Sequence, residues 1–270
     1  MKSAVTISLV PEARGGPFVF WDDLPGSCQL AKGLGFDAIE IFAPSADEAR
    51  ELGIAKVLDD NGLTLAAMGT GAGWIKRKLT LTSPDQSTRN QALAFVRSII
   101  DVAGPLGAPV IIGSMQGRWS DAVPRDKAMG YLTDALRELC AHAAQYRTQL
   151  IYEPLNKDET NLCNSIAAGV ELLETIRTKN IVLLADLFHL HLEETDTAAA
   201  LRTAGKHIGH VHFVDSNRRP AGCGEIDYAP IMAALRDINY QGYLSAECLP
   251  WPDPMTAAKQ TIKMYDTLTA

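Results

Sequence analysis

Short apolar runs alternate with longer amphipathic segments along the whole chain. Eight of these runs have the length and the turn-residue boundaries of buried strands. The predicted strands are AVTISLV (4–10), AIEIFA (38–43), TLAAMGT (64–70), PVIIGSMQG (109–117), QLIYEPL (149–155), IVLLADLFHL (181–190), IGHVHFVDS (208–216) and GYLSAECL (242–249). The segments between them predict helices, such as those at 46–62 and 126–147. Ser83–Gln86 and Asp253–Pro254 are typical helix starts, with a capping side chain and a proline in the first turn.

Strands that alternate with helices indicate parallel pairing through right-handed crossovers. Eight such units in roughly 250 residues have the size of a (β/α)8 TIM barrel. No linker rich in proline, glycine or serine divides the chain, so we expect an α/β protein with one domain over residues 1–270. A doubly wound open sheet is the alternative. It more often has a glycine-rich phosphate turn after the first strand, and VPEARGGPFVFWDD contains no GxGxxG.

The amino-acid composition limits the classes of binding partner and substrate that are expected. The 270 residues are 47% hydrophobic, and 25 Lys and Arg against 32 Asp and Glu give a net charge of −7. An acidic surface repels nucleic acid and anionic lipid, and the longest basic run is the triplet Lys76–Lys78. We therefore expect neither nucleic-acid nor membrane binding, and a small neutral substrate or a cation bound by carboxylates fits the charge better.

Five scattered cysteines without a CxxC pair favour free thiols in a reducing compartment. The start, MKSAVTISLV, lacks a signal-peptide pattern, and no apolar run approaches the ~18 residues of a membrane span. These features predict a cytoplasmic protein.

Polar residues end the last four predicted strands. Glu153 ends the fifth, Asp186 ends the apolar part of the sixth, and Glu247 ends the eighth, whereas the seventh offers His210 and His212 on one face. Active sites of TIM barrels lie at the carboxyl ends of the strands, so these side chains are expected to converge. The three carboxylates repel one another, and all four groups are costly to desolvate unless a cation joins them. Oxygen ligands with one nitrogen suit Mn²⁺, Mg²⁺ or Co²⁺, whereas Zn²⁺ more typically takes further His or Cys ligands.

The second half of the chain resembles a known family. The segments EPLNKDETNLCNS, DLFHLHLEE, GHVHFVDSNRRPAGCG and AEC are similar, in order, to motifs of the sugar isomerases and epimerases among the xylose-isomerase-like TIM barrels. The resemblance is strongest to the D-tagatose/D-psicose 3-epimerase type. It implies that Glu153, Asp186, His212 and Glu247 coordinate one divalent metal ion, with Mn²⁺ favoured, and it selects His212 over His210.

The same resemblance implies roles for further residues. Glu153 and Glu247 would also be the catalytic acid and base, and Glu159, His189 and Arg218 would contact the carbonyl end of the sugar. His191, which we place with His189 on an extension of the sixth strand, is expected to have no role. Departures from the family pattern at Lys157, Asp158 and the segment FVDSNRRPAG leave the metal ligands unchanged and bear on which sugar is bound.

The expected reaction is a metal-dependent 3-epimerisation of a free ketose. A cation on the carbonyl oxygen would stabilise the enediolate, one glutamate would remove the proton from C3, and the other would return a proton on the opposite face. Aromatic residues in the first, third and fourth loops could wall the pocket and exclude water. These are Phe18, Phe20, Trp21, Trp74 and Trp119.

Several alternatives share this chemistry or this fold. Return of the proton to another carbon would make the protein an aldose–ketose or hydroxypyruvate-type isomerase, and loss of water would make it an inosose-type dehydratase. A hydrolase like endonuclease IV needs more histidines at strand ends than this chain offers, and a non-catalytic sugar-binding module would not need two bracketing carboxylates. Homo-oligomers are common among such barrels, but no segment identifies an interface.

Overall fold

A closed barrel of eight parallel strands forms the centre of the molecule in the computed structural model, which describes all 270 residues. The strands are β1 (Lys2–Ser8), β2 (Phe20–Trp21), β3 (Ala38–Phe42), β4 (Thr64–Gly69), β5 (Val110–Ile112), β6 (Leu150–Tyr152), β7 (Ile181–Asp186), β8 (Ile208–His212) and β9 (Tyr243–Ala246). All strands except β2 form the barrel. It closes through β1 and β9, where Lys2 pairs with Tyr243 and Val5 with Ala246. The predicted (β/α)8 TIM barrel is confirmed.

Helices surround the barrel. They are α1 (Leu24–Leu34), α2 (Ala46–Glu51), α3 (Ile54–Asn61), α4 (Ala72–Arg77), α5 (Gln86–Ala103), α6 (Arg125–Ala144), α7 (Ile166–Ile176), α8 (Leu187–Glu193), α9 (Thr197–Ala204), α10 (Tyr228–Asp237) and α11 (Pro254–Thr269). None of them is both long enough and apolar enough to cross a lipid bilayer. A cluster of 77 buried apolar residues, drawn from strands and helices alike, forms the main core.

Three local features differ from the sequence-based expectation. The segment 46–62 forms two helices, because Gly53 adopts a left-handed conformation with φ of 59° and interrupts the first. The cap of α5 is Asp85, so Pro84 precedes the cap instead of lying in the first turn. The short strand β2 was not predicted. It pairs in parallel with the carboxyl end of β1, where Ile7 pairs with Phe20.

The register of the strands determines which side chains meet at the carboxyl end of the barrel. Asp186 on β7 pairs with His212 on β8, and His212 pairs with Ser245 on β9, two residues before Glu247. Glu247 follows β9 directly, in a turn where its backbone N–H donates to the carbonyl of Ser245 at 2.9 Å. The ends of neighbouring strands thus bring polar side chains side by side.

Candidate active site

Four side chains predicted from the strand ends converge at the carboxyl end of the barrel. One ligand atom from each of Glu153, Asp186, His212 and Glu247 lies within 4.8 Å of all the others. Glu153, Asp186 and His212 are buried, and Glu247 is partly exposed to the cavity. Three carboxylate oxygens and one imidazole nitrogen at this spacing can hold a divalent metal ion.

The imidazole of His212 lies between two sets of carboxylates. Its Nδ1 is 3.1 Å from Oδ2 of Asp186, 3.3 Å from Oε2 of Glu247 and 3.5 Å from Oε1 of Glu153. Its Nε2 lies 3.2 Å from Oε1 of Glu40 on β3. Nδ1 is therefore the nitrogen that faces the three converging carboxylates.

Glu40 is a site residue that the sequence analysis missed. Its other oxygen, Oε2, lies 2.8 Å from Nε2 of His210, so one carboxylate joins both histidines of β8. The structure distinguishes these two histidines, since only His212 also reaches the other carboxylates. The available signal was a single charge inside the apolar run AIEIFA, where a lone carboxylate has to find a partner.

Opposite effects act on the pKa values of the converging groups. Burial raises the pKa of Glu153, and the nearby charge of Glu247 adds to the rise, although His212 opposes it. Burial also disfavours the charged form of Asp186, but His189, His212 and Arg218 outweigh it and lower the pKa of that carboxyl. Burial lowers the pKa of His212, but the surrounding carboxylates, led by Glu247 and Glu40, raise it well above its ordinary value. The site is electrostatically suited to a cation.

Glu159, His189 and Arg218 form a second group beside the first. Nη2 of Arg218 lies 3.0 Å from Nε2 of His189, and Nη1 lies 3.5 Å from Oε1 of Glu159. The guanidinium also lies over the ring of Phe188, 4.6 Å from its centroid. Arg218 has a left-handed backbone with φ of 58°, an uncommon conformation for a residue with a side chain. Arg218 lies in the loop after β8 and lines the cavity at the barrel mouth.

The alternation of His189 and His191 had predicted an extended segment, but both residues lie in the helix α8. Asp186 accepts hydrogen bonds from the backbone N–H groups of Phe188 and His189 and thereby caps α8. The helix turns His189 inward and leaves His191 exposed. One carboxylate therefore both faces His212 and orients the helix that carries His189.

A cavity of about 300 Å³ opens above these groups. Its charged lining comes from β6 to β9 and the loops after them, apart from Glu40, whereas the opposite wall is mostly apolar or glycine. Phe18 and Trp74 line that wall, as predicted, together with Phe42, whose ring stacks on Phe18 at 4.7 Å. The other predicted wall aromatics, Phe20, Trp21 and Trp119, do not line the cavity.

Glycine provides the space for one of the converging carboxylates. An added Cβ at Gly113, directly after β5, would lie 2.5 Å from Oε2 of Glu153. Real Cβ atoms essentially never approach other atoms so closely. The position of the Glu153 carboxylate therefore depends on the absence of a side chain at residue 113.

Comparison with known proteins agrees with the barrel fold. The family model described as the xylose isomerase-like TIM barrel matches residues 28–268. The chain belongs to the xylose isomerase-like TIM barrel family.

Several relatives in the xylose isomerase-like TIM barrel family are epimerases. The chain is 34% identical to the D-psicose 3-epimerase of Agrobacterium fabrum over 242 residues, which is 87% of this chain and 79% of the relative. It is 31% identical to the L-ribulose 3-epimerase of Mesorhizobium japonicum over 218 residues, or 79% of this chain and 71% of the relative. A solved structure of an L-ribulose 3-epimerase matches with a TM-score of 0.82 and 25% identity, over 99% of this chain and 94% of that one.

These similarities place the chain among the ketose 3-epimerases of the xylose isomerase-like barrels, and it is accordingly an enzyme of the isomerase class. All seven site residues expected from the resemblance lie at one end of this barrel, on or next to the cavity. Glu40, Phe42 and Gly113 belong to the same region and were not foreseen.

Proposed function

We propose that this protein is a divalent-metal-dependent ketose 3-epimerase that acts on free sugars. Glu153, Asp186, His212 and Glu247 are the metal ligands, and Mn²⁺ is the metal that their oxygen-rich set favours. The observation that carries the proposal is the convergence of these four side chains within 4.8 Å. Buried carboxylates at such spacing repel one another unless a cation compensates their charge.

Glu153 and Glu247 are the acid and base in this mechanism. A bound divalent cation would polarise the ketose carbonyl and stabilise the negative charge that develops when the neighbouring carbon loses its proton. One of the two glutamates takes the proton from C3, and the other delivers a proton to the opposite face, which inverts that centre. Without a metal ion, burial and the charge of Glu247 raise the pKa of Glu153.

Glu159, His189 and Arg218 bind the carbonyl end of the sugar. Their polar atoms lie next to the metal ligands, as the distance of 3.8 Å between Nη2 of Arg218 and Oδ2 of Asp186 indicates. This arrangement orients the substrate so that C3 faces the two glutamates.

The charge of the cavity supports a free ketose over a sugar phosphate. Arg218 is the only arginine in the cavity lining, which contains no lysine. It already lies within 4 Å of carboxylate oxygens of Glu159, Asp186 and Glu247. The opposite wall, where a terminal phosphate would lie, offers no cation.

The test is isotope exchange in D₂O with metal-depleted protein reconstituted with Mn²⁺ and supplied with a panel of free ketoses. We expect deuterium at C3 together with the C3 epimer. Label at C1 or C2 with formation of an aldose would instead establish an isomerase, and a dehydrated product would establish a dehydratase. No exchange with any ketose would overturn the proposal.

Two variants and one control connect the exchange to the named residues. Glu153→Gln and Glu247→Gln should each lower turnover by about 10²–10⁴-fold, which is the usual contribution of a general acid or base. Glu174→Gln removes an exposed carboxylate of α7 that does not line the cavity, and it should leave turnover unchanged. Equal activity in all three variants would exclude the assigned roles.

A further inference from the structure

Asn156 lies directly behind His189, on the side away from the cavity. Its side-chain Nδ2 is 2.9 Å from Nδ1 of His189, and its backbone N–H also points to that nitrogen, at 3.3 Å. Both residues are buried. Two potential donors from one residue therefore meet a single ring nitrogen.

The orientation of the Asn156 amide is determined by contacts that do not involve His189. Its Oδ1 accepts hydrogen bonds from the backbone N–H groups of Asp158, at 2.9 Å, and Glu159, at 3.2 Å. A flipped amide would turn its NH₂ group toward these two donors and lose both bonds. Nδ2, which can only donate, is therefore the atom that faces His189.

The tautomer of His189 follows from this orientation. Because Nδ1 receives N–H groups from Asn156, it must present its lone pair, and in a neutral imidazole the other nitrogen, Nε2, then carries the proton. Nε2 faces the cavity and lies 3.9 Å from Oε1 of Glu159 and 4.0 Å from Oδ2 of Asp186. His189 thus offers an N–H donor on the substrate side.

The contact between His189 and Arg218 has a consequence of its own. Nη2 of Arg218 lies 3.0 Å from Nε2 of His189, but a guanidinium cannot accept a hydrogen bond and a protonated Nε2 cannot accept one either. Both nitrogens are therefore donors, and both residues line the cavity, so that one acceptor placed there can receive an N–H group from each.

We propose that Asn156 is a positioning residue that holds His189 in its Nε2-protonated tautomer, so that His189 and Arg218 donate to the same substrate oxygen. The proposal rests on the proposed epimerase function for the identity of that oxygen, at the carbonyl end of the ketose. It assigns Asn156 no contact with the substrate.

The first measurement is nitrogen NMR of the histidine rings in the Mg²⁺-loaded protein, where a diamagnetic ion leaves the signals sharp. A His189→Gln variant assigns the signals of His189. We expect Nδ1 of His189 to resonate as an unprotonated nitrogen and Nε2 as a protonated one. The opposite pattern in the unmodified protein would overturn the proposal without any further variant.

The second measurement uses Asn156→Asp, which keeps an oxygen for the N–H groups of residues 158 and 159 but places an acceptor opposite Nδ1. Nδ1 of His189 should then become protonated, and kcat should fall by about 10²-fold, as is typical when a donor to a developing oxyanion is lost. An Nδ1 that stays unprotonated would overturn the proposal, as would an unchanged kcat with a protonated Nδ1 and an unprotonated Nε2.

Asn161→Asp is the matched control. Asn161 lies in the same loop and bonds the backbone of Trp119 through its side chain, without contact to His189. The same chemical change there should leave the His189 signals as in the unmodified protein. Failure of the epimerase function would be recognised separately, because the ring signals report the tautomer whether or not any ketose is turned over.

Discussion

Oε1 of Glu40 lies 3.2 Å from Nε2 of His212, on the side of the imidazole opposite the three converging carboxylates. This contact determines which nitrogen of His212 is available to a metal ion. An imidazole whose Nε2 donates to a carboxylate presents the lone pair of Nδ1, and such a carboxylate also makes the ring a better ligand. Glu40 thus belongs to the candidate metal centre although it is not one of the four proposed ligands.

Replacing Glu40 should weaken metal binding. Glu40→Gln keeps the shape of the side chain but removes its charge, and substitutions of this kind typically reduce metal affinity by about 10–100-fold. Titration of metal-depleted protein with Mn²⁺, followed by the electron paramagnetic resonance of the free ion, measures the change directly. Glu51→Gln, at an exposed position of α2, is the control and should bind as tightly as the unmodified protein. Equal affinities for both variants would show that Glu40 does not contribute to metal binding.

Metal affinity should rise with pH. In the metal-free protein the pKa values of Glu153 and His212 are both raised, so both groups keep a proton at a higher pH than usual. A ligand atom has to lose its proton before it coordinates a metal, so binding releases protons and weakens as the pH falls through the raised pKa values. Calorimetric titrations in two buffers of different ionisation enthalpy count the released protons. An affinity independent of pH, without proton release, would contradict the assignment of these two ligands.

Filling the space at Gly113 should reduce turnover. In Gly113→Ala the new methyl group meets Oε2 of Glu153 at 2.5 Å, so the carboxylate has to move. A misplacement of about 1 Å at a reacting group can cost about 10²-fold in rate. Steady-state kinetics with the best ketose of the panel measure the loss.

Gly130→Ala serves as the comparison for that variant. Gly130 lies in α6, and a Cβ added there has no atom within 4 Å. Alanine in place of glycine inside a helix should stabilise the protein by about 0.5–1 kcal/mol and leave the kinetics unchanged. If Gly113→Ala behaves in the same way, the close approach to Glu153 has no functional importance.

Loss of Gln116 should destabilise the fold beneath the site. Its amide nitrogen donates to the backbone oxygens of Gly113 and Glu153, and its amide oxygen accepts from the hydroxyl of Tyr152. Gln116→Leu leaves the carbonyl of Glu153 and the hydroxyl of Tyr152 without this partner, whereas the carbonyl of Gly113 keeps the backbone N–H of residue 116. The two buried groups should lower the free energy of unfolding by about 2–4 kcal/mol. Thermal unfolding of the metal-free protein should show a midpoint lower by about 5–10 °C. Gln149→Leu, at an exposed position, should change the stability by less than about 0.5 kcal/mol.

Strand periodicity predicted the barrel and the candidate site residues that lie at strand ends. All eight barrel strands were predicted, because each is a short apolar run at a regular interval, and Glu153, Asp186 and Glu247 lie at strand ends, where this pattern points to them. The pattern left both His210 and His212 open, and the resemblance to the family selected His212. Glu40 was not predicted because it lies within a strand and not at its end. Its partners, His210 and His212, are also 170 and 172 positions away in the sequence. Gly113 was not predicted because its importance depends on a contact in the folded protein, namely how closely the side chain of Glu153 approaches it.

The cavity wall opposite the charged residues has a practical consequence. The chemical groups come mainly from β6 to β9, whereas the wall of Phe18, Phe42 and Trp74 comes from the first half of the chain. A redesign of sugar preference can therefore be confined to this amino-terminal wall, by exchanging large side chains for small ones there. The proposed acid and base, Glu153 and Glu247, would remain unchanged. A library of variants at those few positions would therefore test new sugars without altering the proposed catalytic residues.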